Sequence, residues 1–157
     1  MFVYGTLCSP QVVQVLLGRS ILPAFLPARL AGHARYPVRG FVFPGTIATP
    51  SQPLNHVDGF LLEGLSTLEC KLFDWFEGHE YERVMVSVER QDTKELIQAQ
   101  VYLWKRELID ELEMEKSWDF NQFEHTKLEW YLENTVWPCR RETERLGMTQ
   151  DGEVQEK

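Results

Sequence analysis

The first ten residues leave the chain few options. Phe2, Val3 and Tyr4 favour an extended strand. Gly5 follows at once, without a Cβ and free to turn. Thr6, Leu7 and Cys8 then lead to Ser9-Pro10, a helix opening with Ser9 as N-cap and Pro10 at the first helical position. A strand must therefore run through a glycine turn into a helix start. That geometry directs several backbone N–H groups at one point, which suits a carboxylate or another anion. An ordinary strand-to-helix connection would use the same residues, so the segment alone leaves both readings open.

Beyond it, Val12, Val13, Val15, Leu16 and Leu17 predict a short buried helix closed by Gly18. Residues 21–42 are rich in β-branched, aromatic and Leu side chains. They are broken by Pro23, Pro27, Gly32, Pro37 and Gly40, and so predict short strands with bends. Pro44-Gly45 predicts a turn into Thr46-Ile47-Ala48, and residues 57–65 another strand. Ser66-Thr67-Leu68-Glu69 is a capping box. The helix it opens has Leu68, Leu72, Phe73, Trp75 and Phe76 on its apolar side and ends at Gly78. Residues 81–89 and 95–105 alternate as strands joined by Asp92-Thr93-Lys94. From Trp118 the spacing becomes helical: Phe120, Phe123, Leu128, Trp130, Tyr131 and Leu132 recur behind Asp119 as cap. A C-terminal helix of four or more turns is expected, ended or kinked at Pro138.

The order β-α-β-β-β-α-β-β-α predicts an α+β (mixed α/β) domain: a small barrel-like sheet flanked by helices. It is expected over residues 1–137, with 138–157 a helical extension and a disordered acidic tail. At 157 residues and 43% apolar content the chain fits one domain with an ample core. The net charge of −8 is uneven. Residues 1–105 carry 10 acids and 9 bases; residues 106–157 carry 14 and 7. The near-neutral body lacks the basic face that nucleic acid requires. The acidic C-terminal helix, with its aromatic stripe, is either a protein-partner surface or a helix packed on the body with a solvated outer face.

Cys8, Cys70 and Cys139 show no paired spacing, and His33, His56, His79 and His125 no ligand spacing, so no metal site is expected. No apolar run is long enough to span a membrane. The opening is not a signal-peptide pattern, and the abrupt start allows that a short leader is missing. A reducing cytoplasmic location is the expectation.

A second segment carries chemistry. Glu77 falls in the last turn of a helix, just before its glycine stop, where a carboxylate opposes the macrodipole. Its neighbours are aromatic: Trp75, Phe76 and, beyond the turn, Tyr81. A side chain turned inward there would be desolvated, and both effects raise a carboxyl pKa toward the range of a proton shuttle. A solvated Glu at a helix end is the plain alternative.

At these two segments the sequence resembles the γ-glutamylcyclotransferase-like family, in its plant avirulence-induced branch. The resemblance rests on Tyr4-Gly5-Thr6-Leu7 after the first strand and on Glu77-Gly78 followed by Tyr81-Glu82-Arg83. Trp118-Asp119-Phe120 and Val101-Tyr102-Leu103-Trp104 add to it, and it spans roughly residues 2–137. It implies that Tyr4, Gly5, Thr6 and Leu7, with Cys8 and Ser9 as further candidates, hold a substrate α-carboxylate through backbone amides. It implies that Glu77 is the acid/base and makes Tyr36, Tyr81 and Tyr102 candidates to line the pocket; core packing is the alternative for all three and the one favoured for Tyr102. The implied reaction closes a γ-glutamyl amide into 5-oxoproline and frees an amine or amino acid. The substrate supplies its own nucleophile, so no cofactor is called for, and Cys8, with no His partner in sequence, reads as a spectator. Two alternatives stay open: a related γ-glutamyl acyltransferase using the same groups, and a binding or stress-response module that keeps the anion pocket without turnover.

Overall fold

The computed structural model describes residues 1–148. The acidic tail expected to be disordered falls, beyond Met148, outside the described residues. Seven strands form two antiparallel sheets. They are β1 (Phe2–Val3), β2 (Phe25–Ala31), β3 (His33–Pro37), β4 (Pro44–Ala48), β5 (His56–Leu62), β6 (Tyr81–Arg90) and β7 (Leu96–Trp104). The larger sheet has the order β1-β5-β2-β6-β7, and β3 pairs with β4 alone. The two edges of the larger sheet approach each other, because the Tyr4 hydroxyl just past β1 donates to the Tyr102 carbonyl of β7 at 2.5 Å. The architecture is thus mixed α/β, a nearly closed antiparallel sheet with helices against it.

The β6–β7 hairpin shows how the strands were specified. Val84, Val86 and Val88 stand opposite Val101, Ala99 and Ile97. This one face fills the barrel interior beside Leu30, Val57 and Leu61. Lys94 turns the hairpin with φ of 59°. Pro44 and Gly45 do not form the expected turn. They are the first residues of β4, with Pro44 opposite Pro37. A two-stranded ladder tolerates proline because its outer edge needs no donor. Gly45 leaves room there: a Cβ would sit 3.0 Å from Trp104 and from Leu112.

Helix α1 (Pro10–Leu17) has Ser9 as cap and ends in left-handed Gly18. Helix α2 (Thr67–Glu77) carries the complete capping box. The C-terminal segment is broken once. Helix α3 (Phe120–Thr126) starts under the Asp119 cap and stops at Lys127, whose φ of −129° is not helical. The chain then runs helically through α4 (Leu128–Tyr131), a wide π-helical stretch (Leu132–Val136) and α5 (Trp137–Arg145). Pro138 therefore does not end the helix. It follows directly on the π-helical stretch, whose wider turn relaxes the usual clash of a proline ring with the preceding turn. Helix α5 lies against α1: Arg140 donates to the Leu16 carbonyl at 3.3 Å, and Thr143 is buried. Part of the aromatic stripe of this segment packs inward. Tyr131 meets Phe123 at 5.4 Å and Phe76 at 6.2 Å, while Trp130 and Trp137 remain outside. No helix of the described residues is long and apolar enough to cross a membrane.

Candidate active site

The opening strand is two residues long, and Gly59 of β5 lets it sit close. A Cβ at Gly59 would come within 2.1 Å of the Val3 carbonyl oxygen. After Tyr4 and Gly5 the chain makes one tight 3₁₀ turn, Thr6–Cys8, in which Cys8 N–H donates to Gly5 O and Ser9 N–H to Thr6 O. Those two amides are consumed. The amides of Gly5, Thr6 and Leu7 donate to no backbone or side-chain acceptor of the described residues. Three consecutive amides at this turn are therefore without an acceptor among the described residues. The Tyr4 carbonyl on the other side is held by Arg35, which donates at 2.7 Å and stacks over Trp118 at 5.3 Å.

Tyr4 to Leu7 line a cavity of about 340 Å³. Glu77, Gly78, Glu80 and Tyr81 line the same cavity from the end of α2 and the start of β6. Gly78 takes φ of 76° immediately after Glu77, so the chain reverses there and the carboxyl is left at the cavity wall. Glu77 is half-buried and takes part in no hydrogen bond or ion pair among the described residues. Burial first, then the negative charges of Glu80 and Asp74, push its pKa up from 4.5 to about 8. Asp74, one turn earlier, is paired: it accepts from the Tyr102 hydroxyl at 2.6 Å and meets Arg83 at 3.3 Å. Tyr81 donates to the Pro44 carbonyl at 2.6 Å and packs edge-on against Trp104. Thr6 donates to the Tyr131 hydroxyl at 3.3 Å, bringing the C-terminal helix to the cavity.

Three residues singled out from the sequence lie elsewhere. Cys8 is buried in the core, where its thiol donates to the Val3 carbonyl and burial pushes its pKa up to about 12. Ser9 is fully buried and spends its hydroxyl on the α1 cap, accepting from Val12 N–H. Tyr36 packs with Val38, Ile47, Trp104 and Leu112 beside β4, away from the cavity. Conversely Tyr102, read as core, is buried and also forms cavity wall. Sequence reading missed Arg35, Phe41, Phe43 and Tyr131. Arg35 had a usable signal, because an Arg between Ala34 and Tyr36 in an apolar strand needs a buried partner. The other three look like any core aromatic.

The family described as "Gamma-glutamyl cyclotransferase, AIG2-like" matches residues 1–120. The chain belongs to the AIG2-like γ-glutamyl cyclotransferase family. Relatives in Arabidopsis thaliana include AIG2-like protein C, 37% identical over 81% of this chain and 70% of its own length. Protein AIG2 C is 34% identical over 85% of this chain and 76% of its own. A solution structure of an Arabidopsis thaliana protein superposes with a TM-score of 0.63 at 30% identity, covering 96% of this chain and 87% of that one. A structure titled gamma-glutamyl cyclotransferase superposes with a TM-score of 0.54 at 18% identity, covering 66% of this chain and 64% of that one, a likeness of fold. The AIG2-like segment thus contains both walls of the cavity except Tyr131 and Thr135, which the C-terminal helix adds.

Proposed function

We propose that this protein is a γ-glutamyl cyclotransferase acting on a small γ-glutamyl amide, with Glu77 as the acid/base. The observation that carries the reading is that three unspent backbone amides and one unpaired carboxyl of raised pKa line a single small cavity. In this mechanism the amides of Gly5, Thr6 and Leu7 hold the substrate α-carboxylate. That contact folds the glutamyl chain so that its α-nitrogen lies against its own γ-carbonyl, a near-attack arrangement. Ionised Glu77 takes a proton from the α-ammonium. The freed nitrogen attacks the γ-carbonyl carbon, a C–N bond forms in a five-membered ring, and the C–N bond to the leaving amine breaks. Glu77 returns that proton to the leaving nitrogen, then relays the second proton of the ring nitrogen to the same amine, so that 5-oxoproline keeps one N–H, the amine leaves as an ammonium ion, and one carboxyl serves both halves of the reaction. A pKa of about 8 suits this double role near neutral pH.

The test is release of 5-oxoproline from a γ-glutamyl amide panel, read by mass spectrometry, for wild type and Glu77→Gln. The expected loss in the variant is about 100-fold or more with the fold retained. Equal turnover by the two proteins refutes the reading. Free glutamate or a transferred glutamyl group in place of 5-oxoproline assigns the related acyl-transfer chemistry instead.

A further inference from the structure

Arg35 stands on β3 behind the turn that follows the first strand, and proton transfer by Glu77 gives it no part. Its guanidinium donates to two backbone carbonyls, Tyr4 O at 2.7 Å and Asp58 O at 3.3 Å. Among the described residues no carboxylate lies within ion-pair distance of it. The two acidic side chains that act on it are engaged elsewhere. Asp58 pairs with Arg29 at 2.8 Å, and Asp119 accepts from the Asn121 and Gln122 amides as the α3 cap. Burial pulls the Arg35 pKa down, but a guanidinium keeps its proton at any working pH. Removing a cation from water without an anionic partner is unfavourable. The anion that Arg35 lacks within the chain is one that a substrate can bring.

The Tyr4 carbonyl and the Gly5 N–H are the two ends of one peptide unit. A positive charge held on the oxygen draws electron density through the amide and makes the N–H a stronger donor. The same pattern runs along the turn. Thr6 N–H belongs to the peptide whose carbonyl, Gly5 O, accepts from Cys8 N–H at 3.0 Å. Leu7 N–H belongs to the peptide whose carbonyl, Thr6 O, accepts from Ser9 N–H at 3.1 Å. Each of the three unspent amides is thus polarised from behind, Thr6 and Leu7 by a neutral N–H and Gly5 by a full charge. Hydrogen bonds to a charged group are about twice as strong as neutral ones.

We propose that Arg35 is a positioning residue for the substrate α-carboxylate: its charge acts through the Tyr4–Gly5 peptide and makes Gly5 the strongest of the three donors. This rests on the place that the cyclotransferase reading gives the α-carboxylate. Neither Lys nor Arg is among the residues that line the cavity, so the wall itself offers the carboxylate no fixed cation. A cation inside the cavity would also meet Glu77 and favour its ionised form, lowering the pKa that suits a proton carrier. Behind the peptide, Arg35 serves one carboxylate and spares the other. The charges that act on Glu77 are those of Glu80 and Asp74, and Arg35 is not among them.

The experiment titrates the isotope-labelled full chain with 5-oxoproline and with 5-oxoprolinamide, in which a neutral amide replaces the carboxylate, and follows the amide protons by NMR. In wild type, 5-oxoproline should move the Gly5 proton further downfield than those of Thr6 and Leu7. Arg35→Gln keeps a donor and removes the charge. It should weaken 5-oxoproline about tenfold and 5-oxoprolinamide by about twofold at most. Arg35→Lys keeps the charge and should stay within about threefold of wild type for both. In turnover of a γ-glutamyl amide, Arg35→Gln should raise KM more than it lowers kcat, because the α-carboxylate contact is the same in ground and transition states. Equal losses for the two ligands, or a Lys variant as weak as the Gln variant, mean that Arg35 only shapes the turn and overturn the proposal. So does a wild-type Gly5 proton that moves no more than the other two, a measurement that needs neither variant to fold. Each of these results leaves the cyclotransferase reading intact if wild type releases 5-oxoproline. Binding at Gly5 with no such release overturns that reading and keeps the role of Arg35, and a wild type that neither binds nor turns over overturns both.

Discussion

The raised pKa of Glu77 makes a prediction about stability that needs no substrate. The carboxyl ionises at 4.5 in a freely solvated chain and at about 8 in the fold. Because the folded value is the higher one, the folded state prefers the neutral acid. Its contribution to stability is fully present below pH 4.5 and is lost as pH rises through about 8. At about 1.36 kcal/mol per pH unit, the full penalty above pH 8 is about 5 kcal/mol, and the part accrued between pH 5 and pH 7 about 2.5 kcal/mol. The cavity is open at its rim, so water enters and about half of this is a fair expectation. Gln is the neutral isostere. Glu77→Gln should therefore match wild type near pH 4 and become the more stable protein as pH rises.

For a chain of this size 1 kcal/mol is worth about 2–4 °C in Tm. The gap in Tm between variant and wild type should widen by about 3–5 °C from pH 5 to pH 7, and stop widening above pH 8 to 9. Differential scanning calorimetry of the two proteins across that range measures it. A gap that does not change with pH means that the carboxyl is not desolvated. A wild type more stable than the variant at pH 8 means that the carboxylate has found a favourable partner. Either result removes the physical basis for Glu77 as a tuned proton carrier. The expected result is a residue that costs stability at the pH where it works, a common signature of functional sites.

Two further predictions follow from the same geometry. In kcat/KM the acidic limb should have its midpoint near pH 8, because Glu77 must be ionised to act as base, and Glu80→Gln should move that midpoint downward by removing a negative neighbour; a pH profile that is flat from pH 6 to pH 8 contradicts it. Gly59→Ala should lower stability by about 1–3 kcal/mol, since its Cβ would come within 2.1 Å of the Val3 carbonyl and push β1 off β5; chemical denaturation that finds the variant unchanged would show that β1 has slack.

How much of this could be read beforehand depends on how local each determinant is. Ser66 and Glu69 bond each other's backbone within four residues, so the start of α2 was legible. So were Ser9, Gly18 and Asp119, each acting within one helical turn. Pro44 and Pro138 misled because their cost depends on context: one lies in a two-stranded ladder, the other behind a π-helical stretch. The tyrosines were harder still. Tyr36 and Tyr81 both sit in strands, and only the closure of the barrel puts Tyr81 in the cavity and Tyr36 behind Trp104.

The proposed anion cradle shows the deeper limit. Its donors are backbone amides, which every residue but proline possesses, so residue identity cannot say which are free. The 3₁₀ turn decides it, spending the amides of Cys8 and Ser9 and sparing those of Gly5, Thr6 and Leu7. What fixes that turn comes from far along the chain. Arg35 holds the Tyr4 carbonyl, Gly59 admits Val3, and Tyr131 receives the Thr6 hydroxyl. A motif of four residues can therefore mark where such a site lies, but its chemistry is completed by three residues that have no sequence proximity to it. Substitution at Arg35 or Tyr131 is for that reason as direct a probe of the cradle as substitution at Gly5.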